Sequence, residues 1–110
     1  MRESLRGLVN QNRFDYVLLD FRDEEAYESG HIPTALRVPS GDLRGCLPSE
    51  NLFESIYICA DRPRVSARAA RVLSESGYFN VVDFGPVRRW PGALEEGPGR
   101  LWRDHVRRKE

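Results

Sequence analysis

Three short apolar runs spaced along the chain constrain its fold more than any other feature. They are residues 16–21 (YVLLDF), 55–60 (SIYICA) and 80–84 (NVVDF). Each run is rich in aliphatic, aromatic or β-branched residues and is too short for a typical helix, so it suits a strand that is covered on both faces. Because segments with helical patterns separate the runs, the sequence predicts an α/β domain with a mainly parallel sheet.

The segments between the apolar runs carry helix signals. Asp23 and Ser66 each have a side chain that can cap a helix N-terminus, and Gly30 and Gly77 follow the two helices that these residues would start. The predicted helices are 4–11, 23–29 and 66–76, counting their caps, with helical turns at 40–47 and 87–90, a brief second strand at 36–39, a turn at 85–86, a loop at 92–99 and a terminal helix at 100–109.

The predicted helix at 66–76 has a charged face. Arg68 and Arg71 lie one turn apart on that face, where they either extend an anion-attracting surface or form an ordinary exposed face, with Glu75 as the i+4 partner of Arg71. Both interpretations stay open. The face predicted to be buried contains Ala67, Ala70 and Leu73.

Composition and charge limit the classes of protein to which the chain can belong. The chain has 110 residues, 40% of them hydrophobic and 31% charged, which predicts one globular domain over 1–110, with 93–110 as a C-terminal helical extension. A formal net charge of zero gives no general attraction to nucleic acid or to anionic membranes. Residues 1–11 lack the apolar core of a secretory signal, and two cysteines do not make a disulfide framework. We therefore expect a cytoplasmic protein with reduced thiols.

Cys59 stands at the end of the run 55–60, ahead of a polar segment and a predicted helix. Parallel sheets bind ligands at the carboxyl ends of their strands, and Asp20 is a second side chain at such an end. Backbone N–H groups curled around the sulfur, the positive end of the following helix, and the guanidinium groups of Arg62 and Arg64 would all favour thiolate over thiol. This interpretation requires a Cys59 that is accessible to small anions and ionised near neutral pH. The alternative is a small buried residue at a strand end.

The other residues with reactive or aromatic side chains give weaker signals. Cys46 has only Arg44 as a close cation and no helix start after it, which indicates a packing residue or an incidental surface thiol. Two histidines and two cysteines show no metal-ligand spacing, so no metal site is expected. Trp90 is predicted to be in the core, and Trp102 either packs back on the domain or contacts another subunit.

Taken together, these motifs resemble those of a single-domain rhodanese. The resemblance runs from about residue 16 to residue 92, and it implies a sheet of about five mostly parallel strands flanked by helices. The motifs are Asp20-Phe21-Arg22, Glu25 to Tyr27, Gly30-His31-Ile32-Pro33 with Ala35, the cysteine after a strand, SARAA at 66–70, Gly77-Tyr78, NVVDF at 80–84, and Trp90 after a glycine turn.

This resemblance implies a sulfurtransferase without a metal or organic cofactor. Cys59 would accept sulfane sulfur as a persulfide, from a small anionic donor such as thiosulfate or from a protein persulfide, and pass it to a thiol or another nucleophile. The residues implied to bind the substrate are Ala60, Asp61, Arg62, Pro63, Arg64 and Val65, and those implied to support the site are Asp20, Arg22, His31 and Ser66.

The segment after Cys59 departs from the family pattern. Arg64 stands five residues after Cys59, as in the family, but Val65 separates it from Ser66, so the loop measured to that serine is one residue longer than usual. Pro63 removes one amide donor, and the loop has no glycine. These departures motivate an alternative function, a non-enzymatic binding or regulatory module of the same fold. Phosphatase-like members of the superfamily resemble a His-Cys-x5-Arg pattern. Phosphatase-like activity is not expected here, because Ile58 precedes Cys59 and Val65 stands where that pattern has its arginine.

Overall fold

A computed structural model describes residues 5–10 and 16–103, which form a five-stranded sheet with helices on both faces. The elements in chain order are α1 (Leu5–Asn10), β1 (Tyr16–Asp20), α2 (Glu24–Ser29), β2 (Leu36–Arg37), the 3-10 helix η1 (Ser40–Gly45), β3 (Ser55–Ala60), α3 (Pro63–Glu75), β4 (Asn80–Pro86), the 3-10 helix η2 (Val87–Arg89) and β5 (Arg100–Leu101). The strand order is β4-β3-β1-β2-β5, and each neighbouring pair is parallel. The predicted α/β fold with about five mostly parallel strands is confirmed.

Side chains alternate along β3, so the sheet divides the core into two halves. Ile58 and Ala60 face α3, whereas Tyr57 and Cys59 face the opposite way. The α3 half contains Val17, Leu19, Phe21, Leu36, Val38, Cys46, Ile56, Ile58, Ala60, Ala69, Leu73, Tyr78 and Trp102. The α2 half contains Leu5, Val9, Tyr16, Leu18, Tyr27, Ile32, Ala35, Tyr57, Cys59, Val87 and Trp90. The core position predicted for Trp90 is confirmed.

Helix α3 begins four residues earlier than the sequence predicts. Its first residue is Pro63, and Arg62 occupies the N-cap position without a capping side-chain hydrogen bond. Proline suits the first turn because the N–H that it lacks has no partner within the helix there. Ser66, the predicted cap, is buried inside the helix, and its hydroxyl donates to the Pro63 carbonyl at 3.2 Å. The predicted cap at Ser66 is therefore wrong.

The buried face of α3 also differs from the one that the sequence predicts. Ser66, Ala69 and Leu73 are the buried residues of this helix, whereas Ala67 is exposed and Ala70 is partly buried. The spacing of the buried residues is three and then four, which is the stripe that an α-helix presents to a sheet. Of the face predicted from sequence, only Leu73 is fully buried.

Helix α2 forms as its capping residues predict. The Asp23 carboxylate accepts a hydrogen bond from the Ala26 N–H at 2.8 Å, and the Gly30 N–H donates to the Tyr27 carbonyl at 3.2 Å. Both ends of this short helix are therefore satisfied by residues next to it in the chain. Within the described residues, no helix combines the length and apolar character that crossing a bilayer requires.

The prediction of a terminal helix over 100–109 is wrong for its first two residues. Arg100 and Leu101 form β5, which pairs in parallel with β2. Trp102 packs in the α3 half, and its Nε1–H donates to Asp42 at 3.1 Å. The side chain of Arg103 pairs with the same carboxylate at 2.9 Å, so this segment packs back on the domain. The rest of the predicted helix, 104–109, lies outside the described residues.

Gly99 passes close to the side chain of Tyr27 just before β5. A Cβ at this position would overlap the Tyr27 hydroxyl, and the φ angle of 55° disfavours other residues as well. Tyr27 has no room to yield, because it is fully buried and its hydroxyl donates to the Ala35 carbonyl. We expect Gly99→Ala to lower the free energy of unfolding by about 1–3 kcal/mol, measured by urea denaturation.

Gly97 provides a matched control for this substitution. Its φ angle of 108° is also positive, but a Cβ there would meet nothing within 4 Å. Gly97→Ala therefore reports backbone strain alone, and we expect it to destabilise the protein less than Gly99→Ala. A loss below about 1 kcal/mol in Gly99→Ala would show that the contact with Tyr27 contributes little.

Candidate functional site

The carboxyl ends of β1 and β3 bring Asp20 and Cys59 side by side. The two residues are register partners in the parallel pair of strands, and the Phe21 N–H donates to the Cys59 carbonyl at 3.0 Å. Alternation along both strands places their side chains on the face of the α2 half. The two strand ends that the sequence singled out therefore meet, as expected for neighbouring parallel strands.

Asp20 is fully buried, and Arg22 balances its charge. Arg22 donates to the carboxylate from Nε at 3.0 Å and from Nη2 at 2.8 Å, and its backbone N–H donates to Oδ1 at 3.0 Å. Nη2 also donates to the Gly30 carbonyl at 2.7 Å. Burial opposes the charge on Arg22, but the hydrogen bonds and charge of Asp20 outweigh it and raise the pKa of Arg22. The pair thus ties the end of β1 to the end of α2.

The position of Cys59 differs from the predicted loop. Cys59 and Ala60 both belong to β3 and are 0% and 1% exposed. Only Asp61 and Arg62 stand between β3 and α3. The loop over residues 60–65 that the sequence predicts to surround the sulfur with amides is therefore not formed, and the sulfur lies on the face of the sheet opposite α3.

The surroundings of Cys59 favour the thiol over the thiolate. Burial raises the pKa of Cys59 well above its usual range, and the nearby carboxylate of Asp20 raises it further. Asp61 acts in the same direction, and Arg22 is the cation that lowers the pKa. The prediction that Cys59 ionises near neutral pH, with help from the arginines of its own loop, is wrong for this conformation.

The later residues of the predicted site line a groove on the other face of the sheet. This groove has a volume of about 410 Å³, and its walls are formed by Phe21, Leu43, Arg64, Val65 and Arg68. Arg64 and Val65 belong to the first turn of α3, together with Pro63. The structure therefore groups these residues with one another and separates them from Cys59, which is not part of the wall.

His31 holds the turn after α2. Its Nδ1–H donates to the Tyr27 carbonyl at 3.0 Å, and its ring stacks on that of Tyr27 with centroids 4.0 Å apart. The backbones of His31 and Glu95 exchange two hydrogen bonds of 2.8 Å each. This side chain is buried and locked by packing, so its contacts are structural.

Cys46 is a packing residue, which confirms the first of the two interpretations of its sequence position. It is 1% exposed in the α3 half, and burial, with a smaller contribution from Asp42, raises the pKa of its thiol to about 12. Across 5–10 and 16–103, no cluster of three or more histidine, cysteine or acidic side chains is arranged to hold a metal ion.

A β-bulge beside Cys59 was not predicted. Cys59 pairs with Gly85 of β4, whereas Ile58 pairs with Asp83, so β4 holds one extra residue at this point. The following residue of β4 is Pro86, which has no N–H to donate to the ladder. Gly85 and Pro86 were predicted to form a turn, but β4 continues through them. Bulges are frequent next to active sites, and this one weakens the pairing of β3 where Cys59 lies.

Known proteins share this sequence and architecture. A family model described as the rhodanese-like domain matches residues 1–84. The Bacillus subtilis protein named "Putative sulfur carrier protein YrkF" is 34% identical over 79 residues, which cover 71% of this chain but only 43% of that protein. The thiosulfate sulfurtransferase GlpE of Pseudoalteromonas translucida is 28% identical over 83 residues, covering 74% of this chain and 79% of its own length.

Solved structures show the same likeness. The crystal structure of the Rhodanese_3 like domain of the Alr3790 protein from Anabaena has a TM-score of 0.66 and 26% sequence identity to this chain. The superposition covers 73% of this chain and 98% of that domain.

Proposed function

Because the chain belongs to the rhodanese-like domain family, we propose that it transfers sulfane sulfur through a persulfide on Cys59. Relatives at modest identity include a protein named as a thiosulfate sulfurtransferase and one named as a sulfur carrier. The observation that carries the proposal is the position of Cys59 at the carboxyl end of β3, beside the buried pair of Asp20 and Arg22. Cys46, the other thiol, has no such position.

The proposed reaction has two displacement steps. The Cys59 thiolate attacks the outer sulfur of thiosulfate, a bond forms between Sγ and that sulfur, and sulfite leaves with the electron pair of the broken S–S bond. An acceptor thiolate then attacks the terminal sulfur, and Cys59 departs as a thiolate. The proton that Cys59 carries at neutral pH passes to solvent before the first step.

Access to the sulfur is a separate step in this scheme. The sulfur is fully buried, so a donor reaches it only after the end of β3 opens. The carboxyl end of β3 is the most weakly paired part of the β3–β4 ladder, because β4 has a bulge at Gly85 and no N–H donor at Pro86. The closed conformation keeps Cys59 as an unreactive thiol, and the open one exposes it to the donor.

Sulfite released in the first turnover, without an acceptor, tests the proposal. The pKa of Cys59 lies well above neutrality, so the thiolate fraction, and with it the rate, is expected to rise about tenfold for each pH unit between about 7 and 9. Quenched-flow sampling with sulfite detection measures the rate. A rate that does not change with pH would contradict the raised pKa, and no sulfite at any pH would refute transfer from thiosulfate by this protein.

A non-enzymatic binding module is the second candidate function. The complete burial of Cys59 and its raised pKa favour it, because an activated cysteine is normally accessible and has a lowered pKa. This candidate predicts that a folded protein releases no sulfite from thiosulfate over the whole pH range. The sulfite measurement therefore separates the two functions.

A further inference from the structure

Four arginines on the outer surface of α3 and η1 have no acidic partner within the described part of the chain. Arg44, Arg64, Arg68 and Arg71 are exposed, and the ion pairs formed among residues 5–10 and 16–103 include none of them. The sequence offered Glu75 as a partner for Arg71, but the two do not pair in the structure. This surface therefore presents uncompensated positive charge to a ligand.

The arginines line two grooves that share Arg68. The first is the groove of about 410 Å³ that contains Phe21, Leu43, Arg64, Val65 and Arg68. The second has a volume of about 420 Å³ and is lined by Arg44, Arg68, Arg71, Val72, Glu75 and Ser76. Along α3 the combined arginine groove runs from Arg64 to Ser76, which is roughly 18 Å at the helical rise of about 1.5 Å per residue.

We propose that the arginine groove docks an extended acidic segment of a partner protein. A groove of this length accommodates roughly five or six residues of extended chain. The guanidinium groups can hold carboxylates in bidentate pairs, and Phe21, Leu43 and Val65 offer an apolar wall for one apolar side chain of the segment. The partner is thus recognised by a run of carboxylates with an apolar residue at one end.

The lining favours a protein over a nucleic acid. Phe21 is only 9% exposed and the rest of the apolar wall, Leu43 and Val65, is aliphatic, so the groove offers no open aromatic face on which a base could stack, and the uniform charge of a phosphodiester backbone would meet the carboxylate of Glu75 at the other end. A peptide can place a neutral residue beside Glu75. The formal net charge of the chain, zero, adds no general attraction to a polyanion.

This docking surface is independent of the chemistry proposed for Cys59. The arginine groove lies on the side of α3, whereas Cys59 lies in the α2 half of the core. Substitutions at Arg68 and Arg71 are therefore expected to leave first-turnover sulfite release unchanged, so the two proposals fail or succeed separately.

A fluorescent peptide tests the docking surface. The probe is a peptide of about eight residues that contains Asp, Glu and a single Phe, and fluorescence anisotropy measures its binding to the whole chain. We expect Arg68→Glu with Arg71→Glu to weaken binding at least about tenfold, and added salt to weaken binding to the unsubstituted chain. The milder pair Arg68→Gln with Arg71→Gln should give an intermediate loss.

The matched control reverses the charge of two exposed arginines outside the arginine groove. Arg88→Glu with Arg89→Glu makes the same change in net charge on η2, and we expect less than about a twofold effect on peptide binding. Equal losses in the two charge-reversed proteins would overturn the proposal in favour of general charge attraction. Tighter binding of a single-stranded RNA of similar length would overturn it in favour of nucleic acid. Circular dichroism confirms that each variant is folded.

Discussion

Replacing Cys59 with serine is expected to abolish the first-turnover release of sulfite from thiosulfate while the protein stays folded. Serine preserves the size of the side chain, but its hydroxyl does not form a persulfide. The new hydroxyl would be buried in the α2 half, so we expect a stability loss of about 1–3 kcal/mol. Sulfite detection measures the chemistry, and urea denaturation measures the stability.

Cys46→Ser is the matched control for this substitution. It also removes a fully buried thiol, but from the α3 half of the core. We expect a similar loss of stability and an unchanged release of sulfite. Sulfite release by Cys59→Ser, or its loss in Cys46→Ser, would show that the sulfur is carried elsewhere than on Cys59.

Removing the positive charge of Arg22 is expected to lower the free energy of unfolding by about 3–5 kcal/mol. Arg22→Met keeps most of the side-chain length but leaves the carboxylate of Asp20, which is 0% exposed, without its ion pair. The carbonyl of Gly30 loses a donor as well. Because Arg22 lowers the pKa of Cys59, the same variant should also release sulfite more slowly near pH 8.

A double substitution separates the charge of Asp20 from the packing of the pair. Asp20→Asn with Arg22→Met removes both charges, and we expect it to be more stable than Arg22→Met alone. Urea denaturation of both variants measures the difference. A loss below about 1 kcal/mol in Arg22→Met would mean that the ion pair does not hold the end of β1.

Much of the fold could be predicted because its signals are local. The runs at 16–21 and 55–60 are apolar on both faces of a strand, which fits the central strands of a covered parallel sheet. Asp23 and Gly30 delimit α2 through hydrogen bonds to residues within one turn of them. Such elements require no knowledge of distant parts of the chain.

Other elements depend on packing that the sequence does not reveal. Two start signals compete for α3, because proline suits the first helical turn and serine suits the cap. The helix starts at Pro63, and the residues on its buried face are Ser66, Ala69 and Leu73. The strand β5 is only two residues long, and pairing with β2 and the burial of Trp102 define it.

The ionisation of Cys59 was the least predictable property of the site. Strand side chains alternate in direction, so the sulfur of Cys59 and the side chain of Ala60 lie on opposite faces of the sheet. The arginines that follow Cys59 in the chain lie on exposed surfaces, and the cation that acts on the sulfur is Arg22, from the end of another strand. Proximity along the chain was therefore a poor guide to proximity in space.

The mass of the segment that contains Cys59, after the intact protein has been incubated with thiosulfate, tests the central claim most directly. Alkylation traps the persulfide, and cleavage after Glu50 and Glu54 separates Cys59 from Cys46, which a cut at arginine alone does not. We predict a gain of one sulfur atom on the Cys59 segment, increasing with pH, and none on the Cys46 segment. An unmodified Cys59 at every pH in the folded protein would contradict sulfur transfer and favour a rhodanese-fold binding module.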